Sequence, residues 1–317
     1  MSDIKLYSLD ATEIDCFGNW LLYPQSPAEK LIPSFKKTGQ LVPVLLAKDG
    51  DKNVLIAGRA RVLAAEKLGQ KVNAIFVEAA DDISRAIMHL EENRSRVADD
   101  ALKLATFRFF SARMETSALP KELGPLLDIK PKSRDMKLWL DWMEMDSKFD
   151  EMLVAGNIPL AAVSVLSKLS SEDCNSLIPF FEKVSWSRSN AVNFLTWLYE
   201  TARREVKSVA DILKEANLNP ARENESPKDA VARLCKSAKQ LRFPHLSELQ
   251  KAHEKIVSEI CVGTKWRVES VGNFETGEVM IQTRFKSREL MHKAIDDLES
   301  IEKFQGWETL FELGRNK

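Results

Sequence analysis

Residues 54–69 read VLIAGRARVLAAEKLG. The apolar run Val54 to Ala57 predicts a buried strand, and the Ala- and Leu-rich residues from Arg61 to Leu68 predict a helix that Gly69 ends. The chain therefore turns from strand to helix at Gly58. Unpaired backbone N–H groups and the positive end of the helix dipole meet at such a junction, so the pattern indicates a phosphate-binding loop. The alternative is a tight turn with solvated arginines.

Further predicted elements surround this junction. A helix over Ala28 to Lys37, capped at Ser26, precedes it, and Pro33 should kink that helix. Periodicity also predicts two flanking strands, Leu41 to Ala47 and Val72 to Val77. A later helix is predicted to begin at Asp81-Asp82 and to end at Glu92-Asn93. The first hundred residues are thus predicted to form a compact α/β unit.

Three short motifs follow one another within residues 39–96. They are Gly39-Gln40-x-x-Pro43, Gly58-Arg59-Ala60-Arg61 and Glu92-Asn93-x-x-Arg96. With the predicted elements, this order resembles the N-terminal domain of ParB-type partition proteins, an α/β domain that is similar to sulfiredoxin. The resemblance runs from about Leu22 to Arg96.

The resemblance implies that the domain binds CTP and Mg²⁺. In that family a Gly-Glu-Arg-Arg loop holds the triphosphate and the Glu-Asn pair helps to bind the metal. The implied nucleotide-binding residues here are Gln40, Gly58, Arg59, Ala60, Arg61, Glu92, Asn93 and Arg96, and the implied metal ligands are Glu92 and Asn93. Arg59 stands where the family has Glu, and Ala60 stands where it has the first Arg. Weak CTP hydrolysis stays open, and no catalytic residue is assigned. Without the resemblance, Glu92 and Asn93 simply end a helix.

Composition limits the class of protein. The chain has 317 residues, of which 44% are hydrophobic and 29% charged, and its net charge is −1, so DNA binding would need a local basic patch. Four dispersed cysteines predict free thiols rather than a disulfide or zinc site. Neither a signal peptide nor a long apolar segment is evident, which predicts a cytoplasmic protein without a membrane span. A sulfiredoxin-like enzyme would need a nucleophilic cysteine beside the Gly58 loop, and this loop has none. The four histidines form no cluster, so histidine-based hydrolysis finds no support in the sequence.

The middle of the chain is predicted to be helical and to contain a helix-turn-helix. Pro120 to Leu127 and Lys132 to Met145 predict its two helices. The predicted DNA-binding residues lie at the start of the second helix, and they are Lys132, Ser133, Arg134 and Lys137. Gly124-Pro125 should interrupt the first helix, and the alternative is a packing domain with solvated charges. A Gly156-Asn157-Ile158 stretch followed by an Ala-containing helix extends the ParB resemblance to about Leu198.

The last part of the chain is predicted to form a small α-β-β-α unit. Its strands flank a turn at Glu275-Thr276-Gly277, and a polar stretch before it predicts a linker. The fold class is therefore α+β and multidomain. The predicted domains are an α/β nucleotide-sensing domain (1–97), a helical DNA-binding domain (98–206), a linker (207–228) and a dimerisation domain (229–317).

These features predict a ParB-like protein that binds double-stranded DNA as a CTP-regulated clamp in chromosome or plasmid partitioning. The resemblance implies a homodimer, association with the nucleoid or a plasmid, and a ParA-type ATPase as partner. A nucleotide-independent regulator or scaffold of the same fold is the alternative, and a small-molecule phosphotransferase is a third.

Overall fold

The computed structural model describes residues 5–24, 27–220, 222, 224–271, 274 and 277–313. The predicted cap at Ser26 and the turn residues Glu275 and Thr276 lie outside these residues. The chain divides into two compact units, residues 1–192 and 193–317. The three-domain division stays a prediction.

The first unit begins with a mixed five-stranded sheet. Its strands are β1 (Leu6–Leu9), β2 (Ile14–Asp15), β3 (Val44–Asp49), β4 (Lys52–Ala57) and β5 (Val72–Phe76). Their order across the sheet is β1-β5-β3-β4-β2. Strands β3 and β4 form an antiparallel hairpin, whereas β3 and β5 run parallel because α2 connects the end of the hairpin to β5.

Three α-helices accompany the sheet, namely α1 (Ile32–Thr38), α2 (Arg59–Leu68) and α3 (Asp82–Glu92), together with two described 3-10 helices, Ala11–Glu13 and Ala28–Lys30. The helix predicted over Ala28 to Lys37 is divided into a 3-10 helix (Ala28–Lys30) and α1, and Pro33 does not kink it, because it lies in the first turn of α1, where its missing N–H has no helical partner to lose. Gly69 ends α2 in the left-handed conformation, with φ of 63°. The Asp81 side chain caps α3 by accepting a 2.8 Å hydrogen bond from the Ser84 N–H.

The core of this sheet lies between β3, β4, β5 and α2. The predicted central strand is the most deeply buried, since Leu55, Ile56 and Ala57 are all 0% exposed. Ala64 and Ala65 of α2 are also 0% exposed. Their small side chains let the helix approach the sheet closely, which fixes the position of the first turn of α2.

A helical region completes the first unit. It contains α4 (Asp100–Ser111), α5 (Leu119–Leu127), α6 (Arg134–Met143), α7 (Asp150–Val154), α8 (Val163–Leu166) and α9 (Ser171–Glu182), and α10 (Arg188–Glu205) crosses the boundary between the units. The rings of Phe107 and Trp139 stack in parallel with their centroids 5.4 Å apart. Trp139 and Trp142 are 2% and 0% exposed, so both tryptophans of α6 belong to the core.

The predicted interruption of α5 at Gly124-Pro125 is wrong. The helix continues through both residues to Leu127. A side chain at Gly124 would lie 2.7 Å from the carbonyl oxygen of Ile129, so the glycine allows the chain after α5 to fold back closely. The Gly124 carbonyl accepts a 2.9 Å hydrogen bond from the Ile129 N–H, which closes the turn that leads to α6.

The second unit contains α11 (Val209–Glu215), α12 (Pro227–Arg242), α13 (Pro244–Ile260), β6 (Arg267–Ser270), β7 (Val279–Gln282), α14 (Arg288–Glu302) and α15 (Gly306–Glu312). Strands β6 and β7 pair antiparallel. The observed order contains the predicted α-β-β-α series as α13, β6, β7 and α14. Helix α12 precedes this series and α15 follows it.

The predicted linker (207–228) contains α11, whose Val209, Ile212 and Leu213 are buried, and one arginine holds part of the chain that follows this helix. The Arg233 guanidinium binds both carboxylate oxygens of Glu225 at 2.8 Å and donates to the Pro220 carbonyl at 2.7 Å. This pairing lowers the pKa of Glu225 to about 2. Among the helices that the structure describes, none has both the length and the apolar composition needed to span a bilayer.

Candidate functional site

The strand-to-helix junction at Gly58 has the geometry of an anion-binding loop. Gly58 adopts φ of 104° and ψ of 24°, and an added Cβ would lie 2.7 Å from Val44 Cγ1. No described side chain caps the start of α2 at this residue. The first-turn N–H groups of a helix have no partner inside the helix, and the helix dipole adds partial positive charge there. The loop can therefore receive a phosphate.

Arg61 ties this loop to two other segments. Its Nη1 donates to the carbonyl oxygens of Pro43 at 2.6 Å and Val42 at 3.2 Å, and its Nη2 donates to Glu92 Oε1 at 2.7 Å. The Arg61 side chain is 18% exposed and that of Glu92 is 26% exposed, so the ion pair is largely shielded from water. All three sequence motifs therefore meet at one guanidinium.

Asn93 and Arg96 follow Glu92 at the end of α3. Asn93 Nδ2 donates to the His89 carbonyl at 2.8 Å and so caps the end of α3, as the helix-end alternative predicted. The Arg96 guanidinium lies 4.6 Å from the centre of the Tyr23 ring and donates to the Pro24 carbonyl at 3.2 Å. Arg96 thereby fixes the N-terminal segment against the end of α3.

His89 is a buried part of this arrangement, although the sequence contains no histidine cluster and no role was predicted for this residue. The ring is 7% exposed, its Nδ1 lies 2.7 Å from the Ile56 carbonyl oxygen, and its Nε2 accepts the Tyr23 N–H at 3.3 Å. Because the Tyr23 N–H is a donor, the proton of the neutral ring belongs on Nδ1. Burial lowers the pKa of His89. The signal in the sequence is its position one turn after Arg85 and Ala86, both on the buried face of α3.

A cavity of about 380 Å³ opens beside these groups. Six of the eight predicted nucleotide-binding residues line it, namely Gly58, Arg59, Ala60, Arg61, Asn93 and Arg96, together with Lys30, His89 and the apolar wall of Leu21, Tyr23, Pro24, Pro27 and Leu31. The described lining thus carries four cationic side chains and no carboxylate. A cavity with a cationic half and an apolar half suits a ligand that has both a phosphate chain and a flat ring.

Gln40 and Glu92 lie outside the described lining of this cavity. The Gln40 amide exchanges two 2.8 Å hydrogen bonds with the backbone of Asn73 and also donates to the Val42 carbonyl. Gln40 therefore joins the loop before β3 to β5. Glu92 reaches the cavity only through its ion pair with Arg61.

The residues that the resemblance assigns to Mg²⁺ are otherwise engaged. The Glu92 carboxylate is paired with Arg61, and Asn93 Oδ1 lies 3.4 Å from Arg96 Nη1. Within the described ranges, no group of three or more His, Cys, Asp or Glu side chains could hold a metal ion. In this geometry the donor set does not fit a divalent cation, whereas the cationic lining fits a polyanion.

The predicted DNA-binding residues lie together at the start of α6. Lys132, Arg134 and Lys137 are exposed, and the Ser133 side chain caps α6 by accepting from the Met136 N–H at 3.1 Å. Asp135 is exposed on the same turn. The start of α6 therefore presents three cations and one anion to solvent.

An ion pair in the helical region fixes the opposite end of α6. Arg108 binds both carboxylate oxygens of Asp150 at 2.9 Å, and it donates to the carbonyls of Met143 and Met145 at 3.1 Å. Trp142 Nε1 donates to the same carboxylate at 2.9 Å. This network satisfies carbonyls at the end of α6 and orients that helix on α4 and α7.

No family model matches the chain. A probable chromosome-partitioning protein ParB of Campylobacter jejuni is 26% identical to this chain over 157 residues, which are 49% of this chain and 55% of that protein. The chain thus spans about half the length of the curated relative that it matches.

Two solved structures of the C-terminally truncated chromosome-partitioning protein ParB from Caulobacter crescentus were also found. The complex with the centromeric parS site is 13% identical, with a TM-score of 0.40 over 60% of this chain and 98% of that chain. The complex with CTP-gamma-S is 17% identical, with a TM-score of 0.26 over 55% and 97% of the two chains. Through its curated relative, the chain is similar to ParB-type partition proteins, as its three motifs predicted.

Proposed function

We propose that this protein is a ParB-like DNA-binding protein whose α/β domain binds a nucleoside triphosphate, with CTP as the first candidate. The cavity beside Gly58 is the observation that carries this proposal. It combines an uncapped helix start, four cations and an apolar wall around Tyr23. The similarity to a chromosome-partitioning protein supports a role in the partitioning of a chromosome or plasmid.

The arrangement of the nucleotide site suggests how each group would act. The start of α2 and the side chains of Arg59, Arg61 and Arg96 would bind phosphate oxygens, since guanidinium groups match them in charge and geometry. The Tyr23 segment, which His89 holds in place, would face the base. The Gly-Arg-Ala-Arg loop lacks the glutamate of the family, so binding rather than hydrolysis is the proposed activity, and weak CTP hydrolysis remains to be measured.

The proposed DNA-binding element is the helix pair α5 and α6, acting as a helix-turn-helix. Lys132, Ser133, Arg134 and Lys137 would contact phosphates and base edges from the exposed start of α6. The proposed domains are residues 1–97, 98–206 and 229–317, and the predicted linker 207–228 includes α11 and the start of α12. Such a protein would act on DNA in the cytoplasm, and a ParA-type ATPase is its proposed partner.

The second unit is the proposed dimerisation element. Its β7 strand exposes Met280 and Ile281, which are 47% and 38% exposed, and the neighbouring helix α14 exposes Leu290 and Ile295 at 40% and 47%. A two-stranded sheet buries little apolar surface by itself, and adjacent strand residues face opposite sides, so covering one face of this sheet and the exposed residues of α14 with a second copy would stabilise the unit. Sedimentation equilibrium of the whole chain tests this, and a monomer at micromolar concentration would contradict it.

The nucleotide proposal is tested by calorimetric titration of the whole chain with CTP, ATP, GTP and UTP. We expect CTP to bind and Arg96→Ala to weaken that binding, because Arg96 contributes both charge and the Tyr23 contact. Lys37→Ala is the control, since Lys37 is exposed on α1 and outside the cavity lining. Failure of every nucleotide to bind at millimolar concentration would favour the nucleotide-independent regulator or scaffold.

The DNA proposal is tested by fluorescence anisotropy with random-sequence duplex DNA at several salt concentrations. Replacing Lys132, Arg134 and Lys137 by alanine should reduce the salt slope by up to about 2.7, at about 0.9 for each lost phosphate contact. A matched triple variant at Lys36, Lys37 and Lys183, which are exposed outside α5 and α6, should keep the wild-type slope. Equal salt slopes in both variants would show that the start of α6 does not contact DNA phosphates and would favour the packing domain instead.

A further inference from the structure

The cationic cavity has an unusual balance of charge for a nucleotide site that uses a metal ion. Its described lining contains Lys30, Arg59, Arg61 and Arg96 and no carboxylate. Magnesium in proteins is bound through carboxylate oxygens together with the phosphates of the nucleotide. The cavity itself therefore supplies positive charge but no anionic ligand that would retain a metal ion.

The nearest carboxylate is already neutralised. Glu92 Oε1 lies 2.7 Å from Arg61 Nη2, and the same guanidinium also binds the carbonyls of Val42 and Pro43. Transfer of Glu92 to a metal ion would leave the largely buried Arg61 guanidinium without its counter-charge, which is unfavourable. Asn93 offers only a neutral amide oxygen, since its Nδ2 donates to the His89 carbonyl and its Oδ1 lies 3.4 Å from Arg96 Nη1.

Arg59 places a positive charge where the loop of ParB-type proteins has a glutamate. It is the first residue of α2, directly at the phosphate-binding turn, and its Nε is buried without a hydrogen-bond partner among the described residues. Its guanidinium lies 5.0 Å from the centre of the ring of Phe17, which is 73% exposed, and the two residues line a second cavity together with Asp15 and Glu66, so the side chain has to turn from that cavity to reach a phosphate. A cation on an exposed ring is weakly held, so a phosphate oxygen can displace that contact.

We infer that this site binds its nucleoside triphosphate without Mg²⁺, because Arg59 supplies the positive charge that the metal ion supplies elsewhere. The inference rests on the proposed nucleotide binding and specifies its cofactor requirement. It follows that the Arg61–Glu92 ion pair persists in the bound state and that the nucleotide enters as the free polyanion.

The test is calorimetric titration of the whole chain with CTP, once in EDTA and once in excess MgCl₂. For the wild-type protein we expect dissociation constants that agree within about threefold in the two buffers. Arg59→Gln should weaken binding in EDTA by about 10-fold to 100-fold, the range for one lost charged hydrogen bond. Arg59→Glu should bind only in MgCl₂, since a carboxylate beside the phosphates completes a metal site. Lys37→Glu, an equal charge reversal on exposed α1, should behave as the wild type does.

Each outcome decides between the two levels of the proposal. Wild-type binding that is lost in EDTA and restored by MgCl₂ overturns the metal-free site while keeping the nucleotide site. Equal affinity of Arg59→Gln and the wild type in EDTA overturns the assignment to Arg59. Failure of CTP to bind in both buffers overturns nucleotide binding itself, and the metal-free site with it. Circular dichroism checks that each variant is folded. The ratio of the dissociation constants in EDTA and in MgCl₂ is compared within a single variant, so a change in folding between variants does not affect it.

Discussion

Replacing Arg61 by alanine is the most informative single perturbation of the α/β domain. The side chain joins the start of α2 to the loop before β3 and to the end of α3 through three hydrogen bonds. Its loss leaves two carbonyls without this donor and leaves the carboxylate of Glu92 without its partner. Arg61→Ala therefore loosens the loop even in the absence of any nucleotide.

The size of this effect follows from the burial of the ion pair. Hydrogen bonds to charged groups contribute about 1.5–3 kcal/mol each when buried. The Arg61 and Glu92 side chains are 18% and 26% exposed, so water can replace part of what is lost. We expect the free energy of opening to fall by about 2 kcal/mol in total, which corresponds to roughly 30-fold faster amide exchange.

Hydrogen exchange with mass spectrometry measures this locally, on peptides that cover the end of β4 and the first turns of α2. Lys67→Ala is the matched control, because it breaks an ion pair of the same helix with Glu29, and both side chains are more than half exposed. We expect less than about a twofold change there, as for other exposed pairs. Exchange in Arg61→Ala that stays within twofold of the wild type would refute the role of Arg61 in holding the loop.

Three further predictions concern other parts of the structure. Gly58→Ala should lower stability by about 2 kcal/mol or more in urea unfolding, because it forces φ of 104° on alanine and brings its methyl 2.7 Å from a β3 side chain; an unchanged midpoint would contradict this. Asp150→Asn should lower the thermal unfolding midpoint by weakening the paired Arg108 bonds, at a cost of about 2 kcal/mol, and no change would show that the network is dispensable. Burial holds the pKa of His89 below its ordinary 6.5, so the stability due to the neutral ring is present above pH 6.5 and is lost as the pH falls through the lowered pKa. His89→Gln should reduce this fall in the free energy of unfolding with falling pH. Both proteins compared carry His253→Gln, because burial lowers the pKa of His253 as well. The same dependence on pH with and without His89 would contradict this prediction.

Local patterns in the sequence were sufficient for the central junction. The apolar run before Gly58 and the alanine pair after it determine a buried strand and a closely packed helix, and both occur as predicted. The two helices around residues 128–133 were likewise predicted, because their apolar residues recur at helical spacing. Strands β1 and β2 were missed, since they have only four and two residues and carry no resolvable alternation.

Long-range pairing accounts for the other differences. The motif order suggested that Gln40, Arg61 and Glu92 all face one ligand, but no local pattern reveals that Arg61 pairs with Glu92 or that Gln40 pairs with Asn73. These partners lie about thirty residues apart and meet only when the sheet forms. Similarly, the spacing of α3 places His89 on one face, but the spacing cannot show that Ile56 and Tyr23 lie opposite.

The connection between α3 and the helical region has a fixed length for two separate reasons. Arg94, which lies between Asn93 and Arg96, donates to the carbonyl oxygen of Pro125 at 3.2 Å. That carbonyl is one of the last four of α5 and has no partner inside the helix. The same short stretch therefore places Arg96 on the Tyr23 ring and caps a helix of the neighbouring region. A single residue inserted after Asn93 would displace both contacts at once, so we expect this stretch to tolerate substitution far better than insertion or deletion.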